Sequence, residues 1–310
     1  MIKPKTIARN LFLWALTPVY RARPEAAESI IYFLKFRKRL DLKNPVTWQE
    51  KLQWIKLYYH VPLYAACSDK YLARVYMENK GHGGILNTLY WEGGDAAAIP
   101  WDSLPDRFAL KVTHGCGYNL FCRDKRTFDR EAAARKLNRW LHTTYLEAYG
   151  EWFYGVVPPR ILCEALIDGD APGLPPTDYK VHCFGGAPRL IQCDAGRSTP
   201  HHHRRLYEPD WTPTMINLEG RLDAGKSMPP PKRLKEMLRI AGDIAKPFPY
   251  VRVDFYETGG MLVFGEISFM NGAGFSTLAP LGTSEMLGDW IPLPEPVKGP
   301  VTREMAEEAL

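Results

Sequence analysis

Between Tyr250 and Phe275 the chain reads YVRVDFYETGGMLVFGEISFMNGAGF, two alternating runs around a pair of glycines. Successive side chains of a strand point to opposite faces, so Arg252 and Asp254 share one face while Val251, Val253 and Phe255 share the other. Glu266 and Ser268 fall together on the second run, with Ile267 opposite, and Leu262, Val263 and Phe264 supply its apolar part. The pattern predicts a β-hairpin turning at Thr258-Gly259-Gly260. Register decides whether the charged faces meet, because a slip of one residue inverts every side chain. A strict two-residue Gly-Gly turn sends Glu266 to the wrong face. A three-residue loop pairs Glu257 with Met261 and sets Arg252 opposite Glu266. The sequence therefore calls for an odd-length loop or a bulge, at a place where glycine permits either.

Two carboxylates and a guanidinium on a half-buried sheet are costly unless a cation or tight ion pairing compensates them. They define either a structural ion network or a ligand site. The Gly-rich segment Phe269 to Gly274 brings backbone N–H groups and an amide close by, as an anion site requires.

The other segments have ordinary globular signatures. Thr47 and Glu50 form a capping box before Trp48, Leu52, Ile55 and Tyr59 at helical spacing, and Pro62 ends that helix. Ser68 is expected to cap a second helix that closes at Gly81. Phe108 to Val112 alternates as a strand carrying Lys111, followed at once by Thr113-His114-Gly115-Cys116-Gly117-Tyr118-Asn119. That arrangement suits either a phosphate cradle or a plain hairpin turn, and it lacks the GxxxxGK[ST] pattern of a P-loop. A helix capped near Asp129 follows. Arg160 to Ile167 reads as a buried strand with Glu164 as its polar passenger, and Asp168 to Pro176 as a linker. Tyr179 to Phe184 and Arg189 to Cys193 flank Gly185-Gly186 as a second hairpin, with Lys180, His182 and Phe184 on one face. Three adjacent histidines, His201 to His203, cannot all face one ion from regular structure, so this segment reads as a flexible basic loop able to close on an anion. Lys232 to Lys246 is an amphipathic helix expected to pack beneath the charged hairpin.

The six cysteines show neither a CxxC pair nor metal-ligand spacing and read as the reduced, mostly buried thiols of a cytosolic protein. The net charge of +5 is unevenly placed. Residues 1–45 hold ten Lys and Arg against Glu25, Glu28 and Asp41, a surplus of seven, which leaves the remainder slightly negative. This basic arm interleaves Leu11, Phe12, Trp14, Ile30, Ile31, Phe33 and Leu34 with its charges. It either packs its aromatic side chains on its own protein or rests on an anionic membrane surface or a partner. Its apolar stretch, Leu11 to Leu16, is too short to span a bilayer and has no cleavage site. Nucleic-acid binding is disfavoured, because no basic sheet face is interleaved with aromatics.

Taken in order, NPVTWQEKLQWIKLY, SDKYLARVYM, LPDRFALKVTHGCGYN, ILCEALID, DYKVHCFGG, LYEPDW, YVRVDFY and GEISF resemble the TupA-like members of the ATP-grasp superfamily. The resemblance runs from about Asn44 to Trp290. It implies an α+β fold of two lobes holding ATP between antiparallel sheets, with a helical N-terminal region. Its parts would be the basic arm 1–45, a helical or α+β region 46–107, a small lobe 108–168, and a large lobe 169–310 with the metal site and tail. It further implies that Lys111 and Lys180 contact phosphates and that the loop with His114, Gly115 and Gly117 covers them. Glu164, Ala165, Leu166 and Ile167 would line the adenine. Asp254 and Glu266 would bind Mg²⁺, and Arg252 would steady the transferring phosphoryl group. Much of the superfamily has an asparagine two residues after the glutamate. Here that position is Ser268, a poorer ligand, and Asn271 is a further candidate.

The implied activity is an ATP-dependent carboxylate–amine ligase that forms an amide through an acyl phosphate. Its acid would be a uronic acid of a surface or capsular polysaccharide or its precursor, and its amine an amino acid or amino sugar. Two alternatives use the same residues: a glycan kinase, and a non-catalytic nucleotide- or glycan-binding module. The expected location is cytoplasmic, with peripheral contact at the inner membrane face or with polysaccharide machinery through the basic arm.

Overall fold

The computed structural model describes residues 4–143, 147–169, 174–197, 199–218 and 227–310, with side chains from residue 9 onward. Part of the Asp168 to Pro176 linker, at 170–173, lies outside these residues. The arm forms two helices, α1 (Pro4–Ala22) and α2 (Pro24–Phe36), packed on each other. Helix α3 (Trp48–Tyr58) starts at the expected capping box, with Thr47 Oγ1 accepting from the Glu50 amide and the Glu50 carboxylate accepting from the Thr47 amide. Such a cap contributes on the order of 1 kcal/mol. Pro62 does more than end α3, since it opens α4 (Pro62–Ser68). Ser68 therefore closes a helix rather than capping one. The cap of α5 (Lys70–Asn79) is Asp69, whose carboxylate accepts from the amides of Tyr71 and Leu72.

The first sheet combines β1 (Leu89–Gly93), β2 (Phe108–Val112), β3 (Asn119–Cys122) and, after α6 (Arg130–Leu141), β4 (Ile161–Ala165). Its order is β1-β4-β2-β3, with every pairing antiparallel. Phe108, Leu110, Val112, Ile161 and Cys163 build its core with Leu137 of α6. The second sheet contains β5 (Thr177–Phe184), β6 (Ala187–Ala195) and β7 (His203–Tyr207). After a short β8 (Asn217–Leu218) and α7 (Leu234–Ala245) it gains β9 (Tyr250–Thr258) and β10 (Met261–Ser268). Its order is β10-β9-β5-β6-β7. Met237, Ile240, Ala241 and Ile244 of α7 pack on the apolar face that carries Val181, Val253 and Phe255, as the amphipathic pattern requires. β11 (Leu278–Ala279), α8 (Thr283–Asp289) and α9 (Arg303–Glu308) complete the chain.

The β9–β10 turn settles the question of register. Met261 pairs with Thr258, so the turn is the two-residue Gly259-Gly260 and the three-residue loop is not formed. The other option, a bulge, is present, but at Gly265 inside β10. It shifts the register so that Glu266 lies opposite Asp254, and Ser268 rather than Glu266 lies opposite Arg252. A Cβ at Gly265 would stand 3.0 Å from the Asp254 carbonyl, so the close approach at the bulge favours glycine.

Candidate functional site

Direct cross-strand neighbours build a polar stripe across the second sheet. One row runs Glu266, Asp254, Lys180, Gln192; the next runs Ser268, Arg252, His182; a third runs Asp178, Asp194, Arg204. Arg252 stands at its centre. Its Nε and one terminal nitrogen donate to the two Asp254 oxygens at 2.6 and 2.7 Å. The same guanidinium reaches Asn271 Oδ1 at 3.0 Å, Ser268 Oγ at 3.2 Å and Glu266 Oε1 at 3.3 Å. Lys180 Nζ donates to Asp254 at 2.8 Å and also to Asp178, which Arg197 contacts at 3.0 Å.

Burial alone would raise the Asp254 carboxyl, but Arg252 and Lys180 overcome it and hold it at about 2. Burial pushes Asp178 up, with Lys180 drawing it down and Asp254 adding to the rise. His182, wholly enclosed, is driven down to about 3 by burial and the Arg252 charge, so it is neutral, and its Nδ1 lies 2.8 Å from the Tyr250 hydroxyl. The cluster is not closed. Asp178 Oδ1 is buried without a partner, and the Glu266 side chain is 36% exposed.

The first sheet contributes a smaller group. Glu164 is buried, accepting from Lys111 Nζ at 2.6 Å and from Arg74 at 2.9 Å. Ala165 is fixed at the strand end by its amide on the Thr88 carbonyl and by Asn87 on its own carbonyl, and Leu166 and Ile167 follow half-buried. In the glycine loop, Gly115 (φ 67°) and Gly117 (φ 81°) adopt the left-handed conformation open mainly to glycine. His114 is held by Nε2 on the Thr143 carbonyl at 2.8 Å and lowered by burial, which leaves Nδ1 as a buried atom without a partner.

Two cations one helical turn apart on α5 join the groups. Arg74 reaches Glu164 on the first sheet. Lys70 donates to the Gly115 carbonyl at 3.0 Å and stands 4.0 Å from Glu266 on the second. Neither residue was singled out in the sequence, and nor was Asp178. The periodicity of SDKYLARVYM marks an inward stripe of Leu72, Val75 and Tyr76, of which Leu72 and Tyr76 are buried, and is silent about which cations find partners.

A further set of buried polar groups lies on α3. Gln49, Gln53 and Lys56 donate to the backbone carbonyls of Ser276, Gly274 and Ala273 at 3.0, 3.0 and 2.9 Å. They clamp the loop that carries Asn271. The segment read as a flexible HHHRR loop contains a strand instead: β7 pairs with β6, and Arg204 Nε and His202 Nε2 contact Asp194 Oδ1 at 2.7 and 2.8 Å. A buried carboxylate on the neighbouring strand recruits these side chains, which periodicity alone does not show. Among the described residues no group of three or more His, Cys, Asp or Glu is arranged to hold a metal. The donors around Arg252 are nonetheless all hard oxygens, two carboxylates with an amide and a hydroxyl, the type that suits Mg²⁺.

Two antiparallel sheets with charged groups on both, linked across a glycine loop, are the features expected of an ATP-grasp protein. The chain belongs to the TupA-like ATP-grasp family, whose pattern matches residues 50–292. Among solved structures it is similar to the L-amino acid ligase from Bacillus licheniformis, with 14% identity and a TM-score of 0.46, covering 82% of this chain and 57% of that one. It is also similar to the D-alanine–D-alanine ligase from Bacillus anthracis complexed with ATP, with 15% identity and a TM-score of 0.39, covering 72% and 58%. A third is an ADP complex of N5-carboxyaminoimidazole ribonucleotide synthetase, with 11% identity and a TM-score of 0.43, covering 71% and 50%. The matched part thus spans between half and three fifths of these proteins. No curated protein matches the chain.

Proposed function

We propose that this chain is an ATP-dependent carboxylate–amine ligase working in the cytoplasm, with an acidic sugar of a surface polysaccharide or its precursor as the acid and an amino acid or amino sugar as the amine. The observation that carries this reading is the Arg252 cluster itself: a guanidinium, two carboxylates and neutral oxygens converge on one sheet face in a chain of the TupA-like ATP-grasp family. In the proposed reaction the acid's carboxylate oxygen bonds to the γ-phosphorus as the bond to ADP breaks. The amine then bonds to the carbonyl carbon, phosphate leaves, and the amine gives up a proton.

Lys111 and Lys180 supply positive charge for phosphate oxygens, Lys180 by exchanging Asp178 for a phosphate. The loop carrying His114, Gly115 and Gly117 covers the nucleotide, and Glu164, Ala165, Leu166 and Ile167 lie along the adenine edge. Arg252 provides fixed charge where it builds up on the transferring group. Asp254 and Glu266, with Ser268 and Asn271 as weaker partners, would hold Mg²⁺, which when bound neutralises phosphate oxygens. A cavity of about 720 Å³ suits the acceptor: it reaches from His60, His142, Glu151 and Trp152 to His114 of the glycine loop and to Tyr154, which also lines the small cleft at Glu266.

Hydroxylamine trapping tests the reading. With ATP, magnesium and a uronic acid, a hydroxamate and stoichiometric ADP are expected. ADP release with a phosphorylated glycan and no hydroxamate would make the protein a kinase instead. The non-catalytic reading draws on one observation, that Arg252 engages both Asp254 oxygens. Nucleotide binding without any acid-dependent ADP release would support it.

A further inference from the structure

The helical arm is amphipathic in an unusual sense, because α1 is apolar on both sides. From Asn10 to Tyr20 it has no charged residue. Leu13 and Leu16 point inward and are buried with Ala27, Ile31 and Tyr32 of α2. The outward side carries Leu11 (61% exposed), Phe12, Trp14 (77% exposed) and Val19. On α2 the exposed positions Ile30, Phe33 and Leu34 repeat at helical spacing. Exposed apolar side chains gathered in this way on two helices that pack on each other mark an interaction surface.

Charge identifies the partner. Arg9 and Arg23 flank the apolar face of α1, and Lys35, Arg37, Lys38 and Arg39 flank that of α2, all of them exposed. Glu25 is the only acidic residue exposed on either helix, and Glu28 is turned inward onto Lys56. An apolar centre rimmed by cations fits an anionic bilayer, where side chains enter the headgroup boundary and arginine and lysine meet lipid phosphates. No helix among the described residues is long and apolar enough to cross a membrane, so the contact lies on the surface. The mount is firm: Glu28 accepts from Lys56 Nζ at 3.1 and 3.2 Å, and Arg21 pairs with Glu147 at 2.8 Å.

We infer that the outer face of the α1–α2 hairpin is a docking surface for anionic lipid bilayers. It does not depend on the ligase reading. The test is co-sedimentation of the full chain with phosphatidylcholine vesicles made with and without phosphatidylglycerol. Binding is expected only with the anionic lipid, and is expected to weaken as salt rises. Leu11→Asp/Trp14→Asp should reduce it by about tenfold or more, and Arg37→Glu/Lys38→Glu/Arg39→Glu by a similar factor. These side chains are exposed, so circular dichroism should confirm that both variants fold, and either one alone suffices if the other does not. Absence of binding to anionic vesicles, or binding unchanged by the variants, overturns the inference. So does a dimer in solution that the same variants dissociate, which would assign the face to a second copy.

Discussion

Two buried ammonium groups in this protein sit in very different company. Lys56 and Glu28 are both inaccessible to solvent, and Lys56 donates to Glu28, Tyr149 O and Ala273 O, so every hydrogen it has is engaged by groups that hold the backbone in place. Lys180 is almost as deeply buried, yet it lies between two carboxylates, one of which keeps an unpaired oxygen, in a cluster whose far end opens to solvent at Glu266. Burial of charge is common to both and therefore identifies neither as a site. The difference is satisfaction. The Lys56 group is complete without a ligand, whereas the Lys180–Arg252 group has capacity left over.

The largest effect should come from the completed group. Lys56→Met leaves Glu28 without its partner and should cost about 3–5 kcal/mol in urea unfolding. Replacing both, as Lys56→Met/Glu28→Leu, should recover much of that loss, because an apolar pair of similar volume needs no compensation. A single-variant loss under about 1 kcal/mol would mean that Lys56 is not structurally saturated, and the contrast would collapse.

The open group should behave in the opposite way. Glu266→Gln should change intrinsic stability by no more than about 0.5 kcal/mol, since the carboxylate is partly exposed. In the wild type, Mg·ATP should add ~2.7 kcal/mol at roughly a hundredfold excess over Kd, and the variant should lose most of that gain. Thermal unfolding with and without Mg·ATP reads both quantities. A nucleotide response equal in both proteins would remove Glu266 from the site.

Gly265→Ala sharpens the contrast from the backbone side. Its Cβ meets the Asp254 carbonyl at 3.0 Å, so the bulge must shift, at about 1 kcal/mol. Because the bulge alone puts Glu266 on the Asp254 face, the nucleotide response should fall further than the stability does. Proportional losses would show that the register at Glu266 is not specified by this bulge.

The charged hairpin was legible because alternation fixes faces, and the need for an extra residue followed from counting alone. Where that residue would go was not legible, since Gly259, Gly260 and Gly265 all permit it and only packing chooses. Lys180 was readable as a face-mate of His182 and Asp254 as a face-mate of Arg252, each within its own hairpin, but that the two faces are one depends on how β5 meets β9, a contact 74 residues apart in sequence. The partners on α5 and α3 stayed hidden for another reason. Helical periodicity in TWQEKLQWIKLYY selects Trp48, Leu52 and Ile55, and it assigns Gln49, Gln53 and Lys56 to solvent. They are buried because a loop more than two hundred residues away presents carbonyls to them. Polar residues buried against backbone obey satisfaction, not hydropathy.

Glu151 lies where the two groups come nearest in kind, beside Lys56 yet lining the large cavity. Burial pushes its carboxyl up to about 8, with Lys56 drawing it down and Glu28 adding to the rise. A carboxyl raised from 4.5 in this way favours folding in its protonated form. That contribution is full below about 4.5 and is lost as pH rises through 8. Glu151→Gln removes the ionisation while keeping the shape. Its melting temperature should match the wild type near pH 4.5, exceed it increasingly toward pH 8, and then hold a constant lead. The side chain is half-buried at the cavity wall, and partial hydration there should keep the gap at neutral pH below the cost of Gly265→Ala. A gap independent of pH would mean that Glu151 ionises normally because the cavity admits water freely, which would place it with the open group rather than with Lys56.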